Sequence, residues 1–299
     1  MHTRLGMTLA ELVVLIFVLT AAAALTCVVS CRSEHDRGRV YCMSNLSSIN
    51  KGLIVYKAAN DDKWPWLYDT TPGWETMVVG TNRNVDPYGA NDDPNNPKAR
   101  SITALMFMLV RCDQSPYVFR CPSDVNSGEE DNVKADGKDG DVLDGEYYWD
   151  FAKPEHVSYS WQAPISRDGR FAQGINGSKT EMVIVADMTP RYEGEKKWTP
   201  IPIDDNTPES ALKEQISHNH KGENMNVLRV AGNVSREKRP DVGVAKDNIY
   251  TACGKDFSKC RSATSIKLSD HVRPNDTFLI GPVGRAEKQG TDPCTEAER

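Results

Sequence analysis

Residues 7–29 read MTLAELVVLIFVLTAAAALTCVV, and this stretch decides the architecture. Its 23 residues are apolar apart from three threonines and one acid, Glu11. A run of about 20 such residues spans a bilayer as a helix. The flank before it is short and basic, with His2 and Arg4. By the positive-inside rule residues 1–6 face the cytoplasm and the long C-terminal part lies outside. No second run of this kind follows, so the chain is expected to cross once and to be mostly exported. Mean hydropathy over the whole chain is −0.53, which excludes several spans. Lys plus Arg number 36 against 42 for Asp plus Glu, a net charge of −6. That balance lacks the basic face of a nucleic-acid binder.

Glu11 is the informative residue. An acid near the start of a membrane helix costs about 2–3 kcal/mol, so it calls for a partner. It stands in Gly6-Met7-Thr8-Leu9-Ala10-Glu11-Leu12. This segment resembles the prepilin leader of type IV pilins and type II secretion pseudopilins. The resemblance implies cleavage between Gly6 and Met7, N-methylation of Met7, and pairing of Glu11 with the new amine of a neighbouring subunit. Met7 stands where the family more usually has Phe. A signal anchor kept whole, a signal peptide cut after Ala22-Ala23-Ala24, and a lipoprotein signal cut before Cys31 compete with this reading. None of them accounts for Glu11 within the apolar run or for a glycine at its edge.

The apolar residues Val40, Met43, Leu46, Ile49, Leu53 and Tyr56 follow at spacings of 3, 3, 3, 4 and 3, one stripe of an amphipathic helix. No proline lies between Gly6 and Pro65, and the glycines there are Gly38 and Gly52. The membrane helix is therefore expected to continue, bent near Gly38, to about Asn60: a rod of roughly 80 Å. Its outer half has an apolar face to bury, so a globular head must pack on it. Cys42-Met43-Ser44-Asn45-Leu46, then Tyr56 and Lys63-Trp64-Pro65, resemble the segment after the membrane helix in pilin-like proteins with a prepilin-type cleavage and methylation domain.

In the remainder, residues 101–110 (SITALMFMLV) read as a short buried helix capped by Ser101. Strands are expected at 117–121, 157–161, 182–186, 226–230 and 278–280. Polar loops, notably 82–100 and 123–147, separate them. The expected fold is α+β: a long N-terminal helix, membrane-spanning in its first half, with a small antiparallel sheet in a loop-rich head on its outer half. The divisions are a leader at 1–6, a transmembrane helix at 7–29, its amphipathic continuation at 30–60, the head at 61–240 and a loop-rich extension at 241–299.

Cys121-Pro122-Ser123-Asp124 matches a stretch of the same family. The loop His218-Asn219-His220 leading through Asn226-Val227-Leu228 to Ala231-Gly232-Asn233-Val234 is similar to its processing-associated domain. There an Asp-Gly turn precedes a valine strand, and here Ala231 replaces the Asp. His218 and His220, with Asp187 elsewhere, are weak metal candidates, for a His-x-His pair needs a third fixed ligand. The bland alternative is a turn whose His and Asn groups bond the backbone. No phosphate loop, His-Glu-x-x-His or Gly-x-Ser-x-Gly is present, so no enzyme is expected. The acidic tract 129–150, with Asp131, Asp136, Asp139, Asp141, Asp144 and Asp150, fits no EF-hand register and reads as a solvated loop. Calcium is the one cofactor the resemblance allows, since major pseudopilins hold it in a head loop.

Eight cysteines, Cys27, Cys31, Cys42, Cys112, Cys121, Cys253, Cys260 and Cys294, suit an exported chain. Cys253 with Cys260 closes a short loop in a region poor in apolar residues. Cys112 with Cys121 is a second candidate pair, with Cys42 competing for Cys121. Cys27 and Cys31, at the membrane exit, read as free thiols.

The resemblance implies a pilin-like subunit of a type II secretion pseudopilus or type IV pilus-like filament in the bacterial inner membrane, its head periplasmic or on a filament. Its implied partners are a prepilin peptidase, other pilin-like subunits and an inner-membrane assembly platform. Two other classes stand beside it. One is a single membrane-anchored binding protein that takes glycan or peptide on aromatic loops, 64–68 (WPWLY) and 147–149 (YYW). The other is an exported metal-dependent enzyme built on the histidine loop.

Overall fold

The computed structural model describes residues 9–62, 64–65, 102–124, 148–151, 153–162, 179–190, 198–254, 256–266 and 277–281; for Glu11, 21–37 and Phe257 it describes the backbone alone. Helix α1, Leu9–Ala59, is 51 residues long. At 1.5 Å per residue its contour is roughly 75 Å. The helix ends where Asp61 and Asp62 turn to positive φ, 53° and 61°. The Asp62 N–H then returns to the Lys57 carbonyl at 2.9 Å. The Lys57 ammonium pairs with Asp62 at 2.9 Å and lies over the Trp64 ring at 5.1 Å.

The two parts of α1 differ in surroundings. Leu12 to Leu19 are eight consecutive apolar residues, all exposed, from Leu12 at 45% to Phe17 at 74%. Further along, Cys42, Leu46, Ile49, Leu53 and Tyr56 are buried. Their spacing alternates four and three, which keeps them on one helix face. The expected stripe is corrected at its start: Val40 is 62% exposed, and Cys42 takes its place. Val40 lies two residues before Cys42, about 200° around the helix, so the two cannot share a face. The glycines allow close approach: a Cβ on Gly52 would stand 2.9 Å from the Gln114 side chain, and one on Gly38 would overlap the Ser123 hydroxyl. Among the described residues no helix is long and apolar enough to cross a membrane.

Helix α2, Ile102–Arg111, buries Ile102 to Phe107 together with Leu109 and Val110. It is apolar nearly all round because it lies inside the head. Phe151 joins it to the chain beyond, edge-on to Phe107 and to Phe119 at 5.2 Å each. The expected strand at 117–121 is instead a turn of 3-10 helix, Pro116–Phe119. Pro116 and Pro122 bracket this run, and neither can donate to a ladder.

The sheet has five strands: β1 Tyr159–Gln162, β2 Val183–Asp187, β3 Met225–Arg229, β4 Val234–Glu237 and β5 Leu279–Ile280. Their order is β4-β3-β2-β1-β5. Every neighbouring pair is antiparallel, as expected for an α+β head. Strand β2 is irregular: Val183 faces Arg229 and Val185 faces Leu228, so Ile184 is a bulge. The bulge sends two successive side chains, Ile184 and Val185, into one core, while Val183 and Ala186 enter the other.

Both faces are covered. One carries Tyr159, Trp161, Leu228 and Ile280 against the stripe of α1 and against α2. The other carries Val183, Ala186, Met225, Val227 and Leu279 against Ile216, Ile249 and Tyr250. The segment expected as a loop-rich extension after 240 is thus part of the head, for it supplies Ile249 and Tyr250 to the second core and β5 to the sheet edge. A salt-bridge net fixes it: Asp241 takes Arg239 at 2.8 Å and Arg261 at 2.9 Å. Arg261 and Lys246 both meet Asp205, and the Arg261 bond holds that carboxyl below the usual carboxylate range.

Candidate functional site

Two features concentrate the chemistry: the exposed apolar end of α1, and a buried polar cluster where α1 meets the sheet. Gly6 and Met7 lie outside the described residues, as does the side chain of Glu11.

The cluster is assembled from five segments of the chain. Cys42 on α1 is joined by a disulfide to Cys121, which follows the Pro116–Phe119 turn. Strand β2 ends at Asp187, β3 contributes Asn226, and a one-turn 3-10 helix, His218–His220, contributes His220. Ser217 caps that turn by accepting from the Asn219 N–H at 3.3 Å, and Lys221 leaves it at φ 59°. The Asn219 amide then donates to the Ser158 carbonyl at 2.9 Å, which fixes the turn on β1.

At the centre, His220 Nε2 lies 3.2 Å from Asp187 Oδ2, 3.0 Å from Asn226 Nδ2 and 3.9 Å from Cys121 Sγ. Asn226 donates to the same carboxylate oxygen twice, from its backbone N–H at 2.6 Å and its amide at 3.1 Å. All of these side chains are fully buried. His220 Nδ1 and Asp187 Oδ1 are buried and have no hydrogen-bond partner among the described residues. Beside them the Asn45 amide donates to the Arg120 carbonyl at 2.7 Å and to the Tyr159 hydroxyl at 3.3 Å. Burial, and then the Asp187 charge, push the Tyr159 hydroxyl well above its ordinary range, against the pull of Asn45.

These groups are wholly enclosed by protein. What the cluster does is fasten α1 to the sheet. Arg39 adds an ion pair to Glu223, and the Asn50 amide donates to the Gly232 carbonyl at 3.4 Å.

Of the three weak metal candidates, His220 and Asp187 are brought together. His218, half-buried, does not join them: the one set of three close ligand atoms among the described residues is Cys42, Cys121 and His220. A 3-10 turn rotates successive residues by about 120°, so His218 and His220 point about 240° apart. The cysteine expectation is corrected as well. Cys121 is bonded to Cys42 and not to Cys112, which is an unpaired thiol at the end of α2. The Cys112 N–H bonds back to the Leu109 carbonyl, and there the chain turns away before it reaches Cys121. Cys253 is bonded to Cys260.

Trp64 is buried in the core, and Trp149 is covered by the Arg111 guanidinium at 3.5 Å. Residues 66–68 and 147 lie outside the described residues, as does the acidic tract except Asp150, which is buried and accepts from the Phe151 N–H at 2.8 Å. Reasoning from sequence did not find Asn45, Tyr159 and Asn226 as members of one cluster. The available signal was an amide or hydroxyl placed among apolar residues within a helix or strand. No protein-family model matches the chain, and no match is found among curated proteins or solved structures.

Proposed function

We propose that the chain is a pilin-like subunit. A prepilin peptidase removes residues 1–6, Met7 becomes the methylated N-terminus, and the first half of α1 is held in a bacterial inner membrane. An assembly platform then moves it into a filament of the type II secretion pseudopilus or type IV pilus kind, where the apolar halves pack together and the heads form the surface. The reading includes no catalytic activity.

The observation that carries it is the division of α1. Eight consecutive apolar side chains are exposed from Leu12 to Leu19, whereas Cys42, Leu46, Ile49, Leu53 and Tyr56 are covered by the head. Covering each exposed side chain is worth about 1.5–3 kcal/mol, or roughly 12–24 kcal/mol for the eight. A helix end of that kind demands lipid or other helices around it. The motif Gly6-Met7 with Glu11 at the fifth mature position selects the pilin route among the membrane-anchored ones.

The test is mass spectrometry of the N-terminal peptide from native membranes. A peptide beginning at N-methyl-Met7 supports the reading. A chain beginning at Met1, at Leu25 or at a lipidated Cys31 overturns it.

A further inference from the structure

The buried ligand set around His220 is more than a structural tie. We propose that, when Cys42 and Cys121 are thiols, the head binds one Zn²⁺ ion through both sulfurs, His220 Nε2 and the Asp187 carboxylate. The head then has two alternative closures at one place, a disulfide or a metal.

The ligands are gathered at one place, and reduction must let the two bonded sulfurs part before both can reach one ion. Cys42, Cys121 and His220 offer three ligand atoms within 4.8 Å of one another, all on buried residues. Asp187 Oδ2 lies 3.2 Å from His220 Nε2 but outside that set of three, so its carboxylate must turn toward the sulfurs to complete the site. In a tetrahedral site with bonds of about 2.0–2.3 Å, neighbouring ligand atoms stand roughly 3.3–3.8 Å apart. The 3.2 Å and 3.9 Å separations of Nε2 from Asp187 and from Cys121 fall about 0.1 Å outside that range on either side. Nε2 faces both the Asn226 amide at 3.0 Å and Asp187 Oδ2 at 3.2 Å, and metal binding takes this nitrogen in its unprotonated form, in place of those contacts. Asp187 Oδ1 and His220 Nδ1 are buried without hydrogen-bond partners among the described residues, so the pair carries polar capacity that the disulfide form leaves unused. Two thiolates with an imidazole select a soft or borderline ion, and Zn²⁺ is the common one with this donor set.

The chemistry balances. Thiol–disulfide exchange with an external dithiol delivers two electrons and two protons to the Cys42–Cys121 bond and gives two thiols. Zn²⁺ binding displaces those two protons to solvent as the thiolates take the metal. Oxidation by an external disulfide reverses the sequence and releases the ion. None of this depends on the filament reading.

The experiment uses the full chain in detergent, reduced with a phosphine that does not bind zinc through sulfur, and titrated with Zn²⁺ against a chromogenic chelator. One tight equivalent is expected in reduced wild type and none at this site after reoxidation, a comparison that needs no substitution. Co²⁺ in place of Zn²⁺ should give thiolate charge-transfer bands and the intense visible bands of a tetrahedral site. His220→Ala and Cys121→Ser should weaken binding by more than the roughly 10–100-fold that loss of an outer-shell partner costs. Cys112→Ser, His218→Ala, the pair Cys253→Ser with Cys260→Ser, and the triple variant Cys27→Ser, Cys31→Ser, Cys294→Ser should leave it unchanged, which excludes the other thiols. Equal zinc uptake by oxidised and reduced protein, or uptake indifferent to His220, overturns the proposal.

Discussion

Replacing Cys42 and Cys121 together by alanine cuts the one covalent tie between α1 and the rest of the head among the described residues. The cross-link closes a loop of 79 residues. In the chain-entropy treatment a loop of that length restricts the unfolded chain by about 4.5 kcal/mol. The Cys253–Cys260 pair spans only 7 residues, and the same treatment gives about 2.4 kcal/mol. Packing widens the difference, since Cys42 and Cys121 are wholly buried and alanine leaves a small cavity at each, about 1 kcal/mol apiece. The expected ranking is a loss of about 6–7 kcal/mol for the Cys42/Cys121 double variant and about 2–3 kcal/mol for the Cys253/Cys260 one. Urea unfolding of the full chain in detergent, followed by tryptophan fluorescence, measures both, with m-values compared so that a change in the unfolded state is seen. A Cys42/Cys121 loss below about 2 kcal/mol, or below that of the short pair, would show that the long loop is not what the disulfide restrains. The reasoning from loop length would then be refuted.

Other outcomes follow from the same packing. Leu46→Ala, at a fully buried position, should cost about 2–5 kcal/mol, whereas Ile54→Ala on the exposed face of the same helix should cost under about 0.5 kcal/mol; urea midpoints compare them directly. The raised Tyr159 hydroxyl makes an alkaline limb: the unfolded chain gives up this proton first, near pH 10, so stability is intact below that pH and falls above it by about 1.4 kcal/mol per unit until the folded-state value is passed. Tyr159→Phe should flatten that limb in pH-dependent unfolding and cost about 1 kcal/mol at neutral pH through the lost bond from Asn45. Glu11→Ala should abolish filament assembly and leave membrane insertion intact, as read from sheared filaments and carbonate-washed membranes; normal filaments from it would defeat the role assigned to Glu11.

How far the fold could be read from sequence depends on whether a pattern is local. The outer half of α1 announces itself through Leu46, Ile49, Leu53 and Tyr56, because helical periodicity and burial act on the same few turns. The run Val183-Ile184-Val185-Ala186 is apolar without alternation because both faces of the sheet are covered, and a bulge adds to that. The turn at Pro116–Phe119 was misread because Tyr117, Val118 and Phe119 have strand-like side chains, and the prolines on either side decided the backbone. The polar cluster was legible only in fragments. Cys42 and Cys121 are 79 residues apart and His220 is 99 beyond Cys121, so nothing in their spacing says that they meet. The contribution of Ile249 and Tyr250 was hidden for a similar reason. They sit among polar residues and cover the sheet as single side chains, without a periodic face.

The position of the tie bears on how such a molecule would carry load. Among the described side chains of α1 the covered ones begin with Gly38 and Arg39, and Cys42 lies within the next turn. The disulfide, the Arg39–Glu223 ion pair and the Asn45 bonds therefore gather at the N-terminal end of the described covered stretch. Beyond them, from Leu46 to Tyr56, contact is mainly apolar, with the Asn50 amide as a polar addition. A pull on the free half of α1 loads the first covered turn before any other, since apolar contacts peel one after another from an end. Fastening there makes the whole stripe resist together, whereas a bond near Tyr56 would leave the emerging end free to lift. The order of ties along α1 is thus the order needed by a head that is moved by its helix.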